Sequence, residues 1–330
     1  MNLLRKYDAS PRLLRGAGAV TGDDRDQPGA MQSESDSEAA GRLKMLDDLR
    51  QMLRAPSASA SGDTGKLVMH YQPQIVIETG EVAGLEARLL WQHPQHGIRR
   101  PEELVGDVKG SAIARLLTER AISALLLQLA EWSVSGVGLR TAIDVEMRDL
   151  QGDGFRELIG AGLKMFAVSA ERLQLEVSED APVEDPLGAM MTVSALHSLG
   201  VAISLDNFGA GKSSLHRLRS LPLTEVKLDR SFIMGMSADA DDAAIVRSVI
   251  ELAHALDLRV VANGVEDERT MRLLHADGCD LAQGRFYAQP MTADALRGWL
   301  SQYQPVQPSG PAPERAASTG RLPSASRPGS

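Results

Sequence analysis

Polar side chains recur where short apolar runs of the sequence end. They are Glu86, Asp144, Glu176, Glu179, Asp206, Asn207, Lys227, Asn263 and Gln283. A single acid after a strand is usually a helix cap or a surface charge, but five carboxylates with a lysine and a glutamine at strand ends favour a common pocket. Carboxylates beside a lysine suit the binding of divalent metal ions and the positioning of a phosphate. This combination is typical of metal-assisted phosphodiester hydrolysis.

These side chains need a scaffold that brings strand ends together, and the sequence predicts one. From Leu67 onward, β-prone runs such as LQLEV, VAISLDNF and RVVANGV alternate with helical segments, among them residues 113–132, 187–199 and 243–256. Repeated strand and helix units without a second hydrophobic seam predict a single α/β domain of about 235 residues. That length suits a closed TIM-like (β/α)8 barrel, in which the C-terminal strand ends and the following loops form the active face.

The segments that flank this domain differ from it in composition. Residues 1–35 and the Pro- and Ser-rich residues 303–330 lack apolar periodicity, so both are predicted to be disordered. Residues 36–66 are predicted to form an amphipathic helix and a tether, and residues 67–302 the domain itself. The apolar stripe of the helix contains Leu43, Leu46, Leu49 and Leu53. The stripe either packs on the domain or docks another protein, and the sequence leaves both interpretations open.

Composition and charge argue against several classes of function. The formal net charge is -9 over 330 residues, without a basic stripe, which argues against direct nucleic-acid binding. No run approaches the roughly 20 apolar residues that span a bilayer, and the N-terminus lacks the apolar run of a signal peptide. Cys279 is the single cysteine, so no internal disulfide is expected. We therefore expect a cytoplasmic protein without direct membrane binding.

Several segments resemble the EAL domain family, both in their residues and in their order. They are YQPQIVIETGEVAGLEARLLWQHP, VSED, SLDNFGAGKSSL, LPLTEVKLDRSFI, RVVANGVED and GCDLAQGRFYAQP, within about residues 67–300. The resemblance implies a TIM-like barrel with one reversed strand, which is often dimeric. It also implies a two-metal site that hydrolyses cyclic di-GMP to linear pGpG.

The resemblance assigns roles to individual residues. Glu86, Glu176 and Asp206 match metal ligands of the family. Lys227 matches the lysine that orients the attacking water, Glu179 an acid that braces a loop of the site, and Gln283 a glutamine near the catalytic centre. Gln72 is a retained candidate for binding the dinucleotide.

Other positions depart from the family pattern. The signature EALLR reads EARLL at residues 86–90, so Leu90 stands where the family has its phosphate-binding arginine. The family's metal-ligand asparagine is Asp144 here, its second aspartate is Asn207, and a glutamate linked to water activation is Asn263. Two further departures lie in loops: Lys212 is an added cation, and residues 104–106 replace a segment that helps to enclose a guanine.

These departures predict a weakened metal site. They make the pocket more positive than the family pattern by about two charges, whereas two divalent cations require carboxylate oxygens to offset their charge. We expect no required cofactor and at most one weakly bound Mg²⁺ or Mn²⁺, on Glu86, Asp144, Glu176 and Asp206. Because Arg88 shares a strand face with Glu86, we also predict an internal ion pair that replaces metal. With Gln72 and Lys212, Arg88 completes the set of candidate ligand-binding residues.

The leading functional prediction is a signalling protein without efficient hydrolysis, which acts on an unidentified regulatory protein to control motility, biofilm formation or virulence. One alternative is a receptor that binds cyclic di-GMP without cleaving it. A second alternative is a weak Mg²⁺- or Mn²⁺-dependent phosphodiesterase that produces pGpG. His93 and His96 have a spacing that suits a metal ion, but we interpret them as solvated loop residues.

Overall fold

Eight strands close into a barrel, and the first of them runs against the others. The computed structural model describes residues 29–54, 64–101, 112–151, 153–178, 183–209 and 215–306. The strands are β1 (Lys66–Val76), β2 (Val82–His93), β3 (Gly97–Arg99), β4 (Arg140–Glu146), β5 (Leu173–Ser178), β6 (Ala202–Phe208), β7 (Glu225–Leu228), β8 (Arg259–Asn263) and β9 (Leu281–Gln283). β1 pairs antiparallel with both β2 and β9, and parallel pairing runs from β2 through β4 to β9. The predicted barrel with one reversed strand is confirmed, while β3 only extends a hairpin with β2.

Helices cover the outer face of this barrel. They are α1 (Gly29–Arg54), α2 (Ala112–Ser135), α3 (Asp153–Met165), α4 (Pro186–Ser198), α5 (Leu215–Ser220), α6 (Arg230–Gly235), α7 (Ala240–Ala255), α8 (Glu268–Ala276) and α9 (Ala293–Gln302). Aspartates at the start of several helices accept backbone hydrogen bonds, as Asp185 does from Gly188 at 2.9 Å. These caps fix where each helix begins after its strand.

The apolar core lies between the barrel and the helices. Tyr71 of β1 packs edge-to-face on Trp132 of α2, with ring centroids 4.7 Å apart. Trp91 of β2 and Leu125 of α2 are fully buried in the same cluster. Strands that are covered by helices bury nearly continuous apolar runs, which explains why these segments read as short hydrophobic stretches in the sequence.

The chain divides into two units, residues 1–44 and 45–330. Within the second unit, the last turns of α1 bury Leu46, Leu49, Met52 and Leu53 in the core cluster. Burying each such side chain contributes about 1.5–3 kcal/mol. The apolar stripe of these turns therefore packs on the domain, although Leu43 is exposed. The helix begins at Gly29, before residue 36, where the sequence analysis placed its start.

The interpretation of His93 as a solvated loop residue was wrong. His93 is the last residue of β2 and is only 2% exposed. Its Nδ1 accepts hydrogen bonds from the backbone amides of Gln95 and His96, at 3.1 and 3.2 Å, and its Nε2 faces Asp48 of α1 at 3.5 Å. This histidine is therefore buried between the end of β2 and α1.

The end of the described chain returns to the first hairpin. Tyr303 stacks on Trp299 with ring centroids 4.3 Å apart, and its hydroxyl donates to the carbonyl of Gly80 at 2.9 Å. The predicted disorder of residues 1–28 and 307–330 falls outside the residues that the structure describes. Among the described residues, no helix combines the length and apolarity that crossing a bilayer requires.

Candidate functional site

The strand ends bring the predicted polar residues into one cluster inside the barrel mouth. Glu86 of β2, Glu176 of β5, Lys227 of β7 and Gln283 of β9 are all buried, with exposures of 0 to 1%. Adjacent strands in parallel register place Asp144 beside Glu176. The common pocket expected from the sequence therefore exists, and its centre is shielded from solvent.

Lys227 supplies the central positive charge of this cluster. Its Nζ lies 2.5 Å from Glu176 Oε2, 3.1 Å from Glu86 Oε1 and 4.0 Å from Asp206 Oδ1. Burial alone would lower the pKa of this lysine, but the carboxylates around it hold that pKa well above its usual value. Lys227 is therefore a permanent cation that is bound to acids.

Arg88 supplies a second cation to the same cluster. Its Nε and one terminal nitrogen donate to the two carboxylate oxygens of Glu86, at 3.0 and 2.9 Å. The arginine side chain is 19% exposed and that of Glu86 is 1% exposed. This two-pronged geometry is the strong form of an arginine–carboxylate pair. The predicted ion pair between Arg88 and Glu86 is confirmed.

Glu86 is saturated with hydrogen-bond donors. Oε1 accepts a hydrogen bond from Arg88 Nε and lies 3.1 Å from Lys227 Nζ. Oε2 accepts hydrogen bonds from a terminal nitrogen of Arg88 and from Gln283 Nε2. A carboxylate has about four lone-pair positions, and here four donor atoms face them. Burial raises the pKa of Glu86, but the charges of Lys227 and Arg88 outweigh this and lower it to about 2. Glu86 is therefore ionised and fully occupied by the protein's own groups.

Three glutamines tie the acids to the wall of the barrel. Gln283 Nε2 donates to Gln72 Oε1 at 2.8 Å, and Gln72 Nε2 donates to the carbonyl of Ala288 at 2.9 Å. Gln74 Nε2 donates to Glu176 Oε1 at 3.3 Å and to Gln283 Oε1 at 3.4 Å. Gln72 and Gln283 were predicted from the sequence, whereas Gln74 was not. The period-two spacing of Gln72 and Gln74 along β1 was the signal that both face the barrel interior.

The remaining acids of the cluster hold protons more readily than free carboxylates. Burial, together with Glu86 and the other acids, raises the pKa of Glu176 well above its usual value, although Lys227 opposes the shift. Burial and the charges of Asp144 and Glu86 raise the pKa of Asp206 to about 7, again against Lys227. The Asp144 side chain reaches solvent in the pocket, yet the protein around it and the charge of Glu86 still raise its pKa. The cluster therefore contains four carboxyl groups but only two cationic side chains among the described residues, Lys227 and Arg88.

The donor set fits a single divalent ion better than two. Carboxylate oxygens of Glu86, Asp144 and Glu176 all lie within 4.8 Å of one another, and the buried Oδ1 of Asp206 has no hydrogen-bond partner among the described residues. When all four acids are ionised, Lys227 and Arg88 leave two negative charges, which one divalent ion would balance. An ion on Glu86 would have to displace a donor already bound there.

Two amide side chains stand near the acids at the mouth, where a second ion would need carboxylates. Asn207, the last but one residue of β6, has a φ of 52°, a left-handed conformation that asparagine tolerates, and it lines the cavity with Asp206. Asn263 ends β8 beside Gln283. Both amides are neutral, so neither offsets the charge of a cation. The residues present therefore do not fit a two-metal centre.

A cavity of about 420 Å³ opens above the cluster. Arg88, Leu90, Asp144, Asp206 and Asn207 line it, together with apolar residues of α2. The structure thus places Leu90 at the pocket, in line with the predicted strand face. The other predicted loop positions, Glu179, Lys212 and residues 104–106, lie outside the described residues.

The comparison with known proteins identifies the family. The model of the EAL domain matches residues 53–290. A cyclic di-GMP phosphodiesterase of Pseudomonas aeruginosa is 36% identical over 230 residues, which cover 70% of this chain and 39% of that protein. The bifunctional diguanylate cyclase/cyclic di-GMP phosphodiesterase MucR of the same organism is 32% identical over 266 residues, covering 80% and 38%. This chain thus spans about two fifths of the length of these curated relatives.

Solved structures agree with the sequence comparison. The MucR phosphodiesterase in complex with c-di-GMP has a TM-score of 0.69 at 33% identity, covering 77% of this chain and 99% of that chain. The EAL domain of Mycobacterium smegmatis DcpA has a TM-score of 0.59 at 33% identity, covering 71% and 95%. The chain belongs to the EAL domain family.

Proposed function

We propose that this EAL domain acts in cyclic di-GMP signalling without efficient hydrolysis and transmits its signal by binding a regulatory protein. The observation that carries the proposal is the occupation of Glu86. All of its lone-pair positions face donors of Arg88, Lys227 and Gln283. A metal ligand must offer a free lone pair, so metal binding at this glutamate requires the loss of a charge-assisted hydrogen bond.

Charge supports the same proposal. Arg88 adds a positive charge where a hydrolytic two-metal centre would need to bind cations. Asn207 and Asn263 stand where the family pattern has carboxylates, which removes negative charge from the mouth. Both changes weaken the binding of hard divalent ions, which prefer carboxylate oxygens. Lys227 is itself bound to Glu176 and Glu86, so at most one of its three N–H donors remains to orient a water molecule.

A non-hydrolytic receptor for cyclic di-GMP is the second candidate function. The 420 Å³ cavity favours it, because the mouth stays open beside Arg88. The solved relative MucR, at 33% identity, is in complex with c-di-GMP. Leu90 opposes strong binding, because a leucine at the pocket donates no hydrogen bond to a phosphate.

Two experiments test these functions. Isothermal titration with cyclic di-GMP, first without metal and then with Mg²⁺ or Mn²⁺, measures binding. Chromatography of the same mixtures detects any pGpG that is produced. The proposal predicts no pGpG in any condition. Absence of binding favours the protein-binding regulator, and metal-independent binding without cleavage favours the receptor. Mn²⁺-dependent release of pGpG that Glu86→Ala abolishes would overturn the proposal and establish a weak phosphodiesterase.

The role of Arg88 is tested by direct titration with Mn²⁺. Arg88→Leu frees two oxygens of Glu86, so Mn²⁺ should bind at least about tenfold more tightly, which corresponds to about 1.4 kcal/mol. Arg272→Leu is the matched control, because Arg272 is an exposed arginine of α8 whose ion pair in the described part of the chain is with Glu268 on its own helix. Equal Mn²⁺ affinities of Arg88→Leu and the unmodified protein would remove Arg88 as the competitor for metal.

A further inference from the structure

A second polar cavity, of about 350 Å³, opens at the opposite end of the barrel. It lies where β4, β5 and β8 begin, whereas the candidate site lies where the strands end. The lining of this cavity includes Arg140, Arg172 and Arg259. Gln74 and Gln174 also line the cavity, on its inner wall. Small residues keep it open, since a Cβ on Gly138 would meet nothing within 4 Å.

The charge around this basal cavity is positive. Arg259 pairs with the buried Glu225 at 3.0 Å. Arg172 donates to the carbonyls of Leu139 and Val137, at 3.0 and 2.6 Å, and Arg140 donates to the carbonyl of Glu171 at 3.1 Å.

Backbone oxygens satisfy hydrogen-bond donors without neutralising a charge. Among the described residues, no carboxylate lies within 4.0 Å of a nitrogen of Arg140 or Arg172. Three arginines thus face two acids, Glu225 and the exposed Glu171 at the rim, which leaves a net charge of about +1. The cavity therefore favours an anion.

The inner wall offers hydrogen-bond acceptors. Gln74 uses its Nε2 on Glu176 and Gln283, and Gln174 uses its Nε2 on Glu225 at 2.7 Å. In the described part of the chain, no group donates to the Oε1 atom of either glutamine. Gln74 Oε1 lies toward Gly84, because a Cβ built on that glycine would be 3.3 Å from it. Two amide oxygens thus remain for the hydroxyl groups of a ligand.

We propose that this basal cavity binds a small phosphorylated polyol. The guanidinium of Arg140 would donate hydrogen bonds to the phosphate, because guanidinium groups match phosphate oxygens in geometry and charge. The positive charges of Arg172 and Arg259 would also attract the phosphate. Hydroxyl groups of the ligand would donate to Gln74 and Gln174. The volume exceeds what a phosphate needs and falls in the range of small-molecule sites. This site is independent of the proposed signalling function.

Isothermal titration of the full chain with glycerol 3-phosphate, ribose 5-phosphate and inorganic phosphate tests the site. A phosphorylated polyol should bind with a dissociation constant of about 1 mM or below, and more tightly than phosphate alone. Arg140→Gln should weaken binding at least about tenfold by removing a charged donor. Gly138→Leu should weaken it similarly by filling the opening without changing charge.

Two controls locate the bound ligand. Arg272→Gln, on the surface of α8, and Arg88→Leu, at the barrel mouth, should leave polyol phosphate binding unchanged. Circular dichroism should show that all variants remain folded. The proposal is overturned if no phosphorylated polyol binds, if inorganic phosphate binds as tightly, or if Arg140→Gln and Gly138→Leu leave the affinity unchanged.

Discussion

The two ends of the barrel both contain arginines and buried acids, but the arginines are used differently. At the mouth, Arg88 binds Glu86 with two hydrogen bonds, and Lys227 binds the same acid and Glu176. At the base, Arg140 and Arg172 donate to backbone carbonyls, and among the described residues only Arg259 forms an ion pair with a buried acid. The cations at the mouth are therefore held in ion pairs, whereas Arg140 and Arg172 at the base are held by carbonyl oxygens.

This difference shows that a count of cations does not predict where an anion binds. A guanidinium paired with a carboxylate has lost much of its attraction for a phosphate. A guanidinium held by carbonyl oxygens keeps its full charge. The mouth thus holds its cations in internal ion pairs, while the base has arginines without an ion pair in the described part of the chain, at an open cavity.

The largest effect is expected from Lys227→Met at the mouth. This change leaves Glu86 and Glu176 buried with one cation fewer, and removing one partner of a buried pair typically costs about 3–5 kcal/mol. We expect the free energy of unfolding in urea to fall by that amount. Lys164→Met is the control, because Lys164 is an exposed residue of α3, and it should change stability by less than about 0.5 kcal/mol. A loss below about 1 kcal/mol for Lys227→Met would show that the acids of the mouth are largely protonated.

A smaller effect is expected from replacing one arginine at each end. Arg88→Leu should lower the free energy of unfolding by about 2–3 kcal/mol, because it removes two hydrogen bonds to a buried charge. Arg140→Gln should cost less than about 1 kcal/mol, since the hydrogen bond of Arg140 among the described residues is to a backbone carbonyl. Equal losses for the two variants would contradict the distinction between neutralised and unneutralised arginines. Urea denaturation of both proteins under the same conditions makes the comparison.

Much of the mouth was predictable from the sequence, because its functional residues lie in recognisable strands. Glu86, Glu176 and Lys227 were placed in one pocket because each is a polar residue in a β-prone apolar run. The ion pair of Arg88 followed from the period-two alternation of β2. Such signals are local in the sequence, and the closed barrel then converts strand position into proximity.

The base was not predicted, because its residues begin strands, where a polar side chain is unremarkable. Arg140 and Arg259 each open a strand, and nothing in their neighbours distinguishes them from solvated charges. The cavity depends on Gly84 and Gly138, residues whose effect is the absence of a side chain. His93 was misjudged for a related reason, since its burial depends on the distant residue Asp48. Contacts between segments far apart in sequence leave no local pattern.

The smallest expected effect is a pH dependence at Glu225, the buried acid of the base. Burial raises the pKa of Glu225 in the folded protein, although Arg259 opposes the shift. Because the unfolded chain has the ordinary value of 4.5, the folded state binds this proton more tightly. Protonation of Glu225 thus stabilises the folded protein fully below the unfolded pKa. This stabilisation is lost as the pH rises through the folded pKa. Glu225→Gln removes this titration.

The free energy of unfolding of Glu225→Gln should therefore rise relative to the unmodified protein as the pH increases above the unfolded pKa of 4.5 and through the raised folded pKa. Gln174→Glu would add a second acid beside Glu225 and should steepen the loss of stability over the same range. Urea denaturation at several pH values measures both differences. A Glu225→Gln difference that falls with pH would mean that Arg259 lowers the pKa of Glu225 below its usual value. In that case the base would be neutralised in the same way as the mouth.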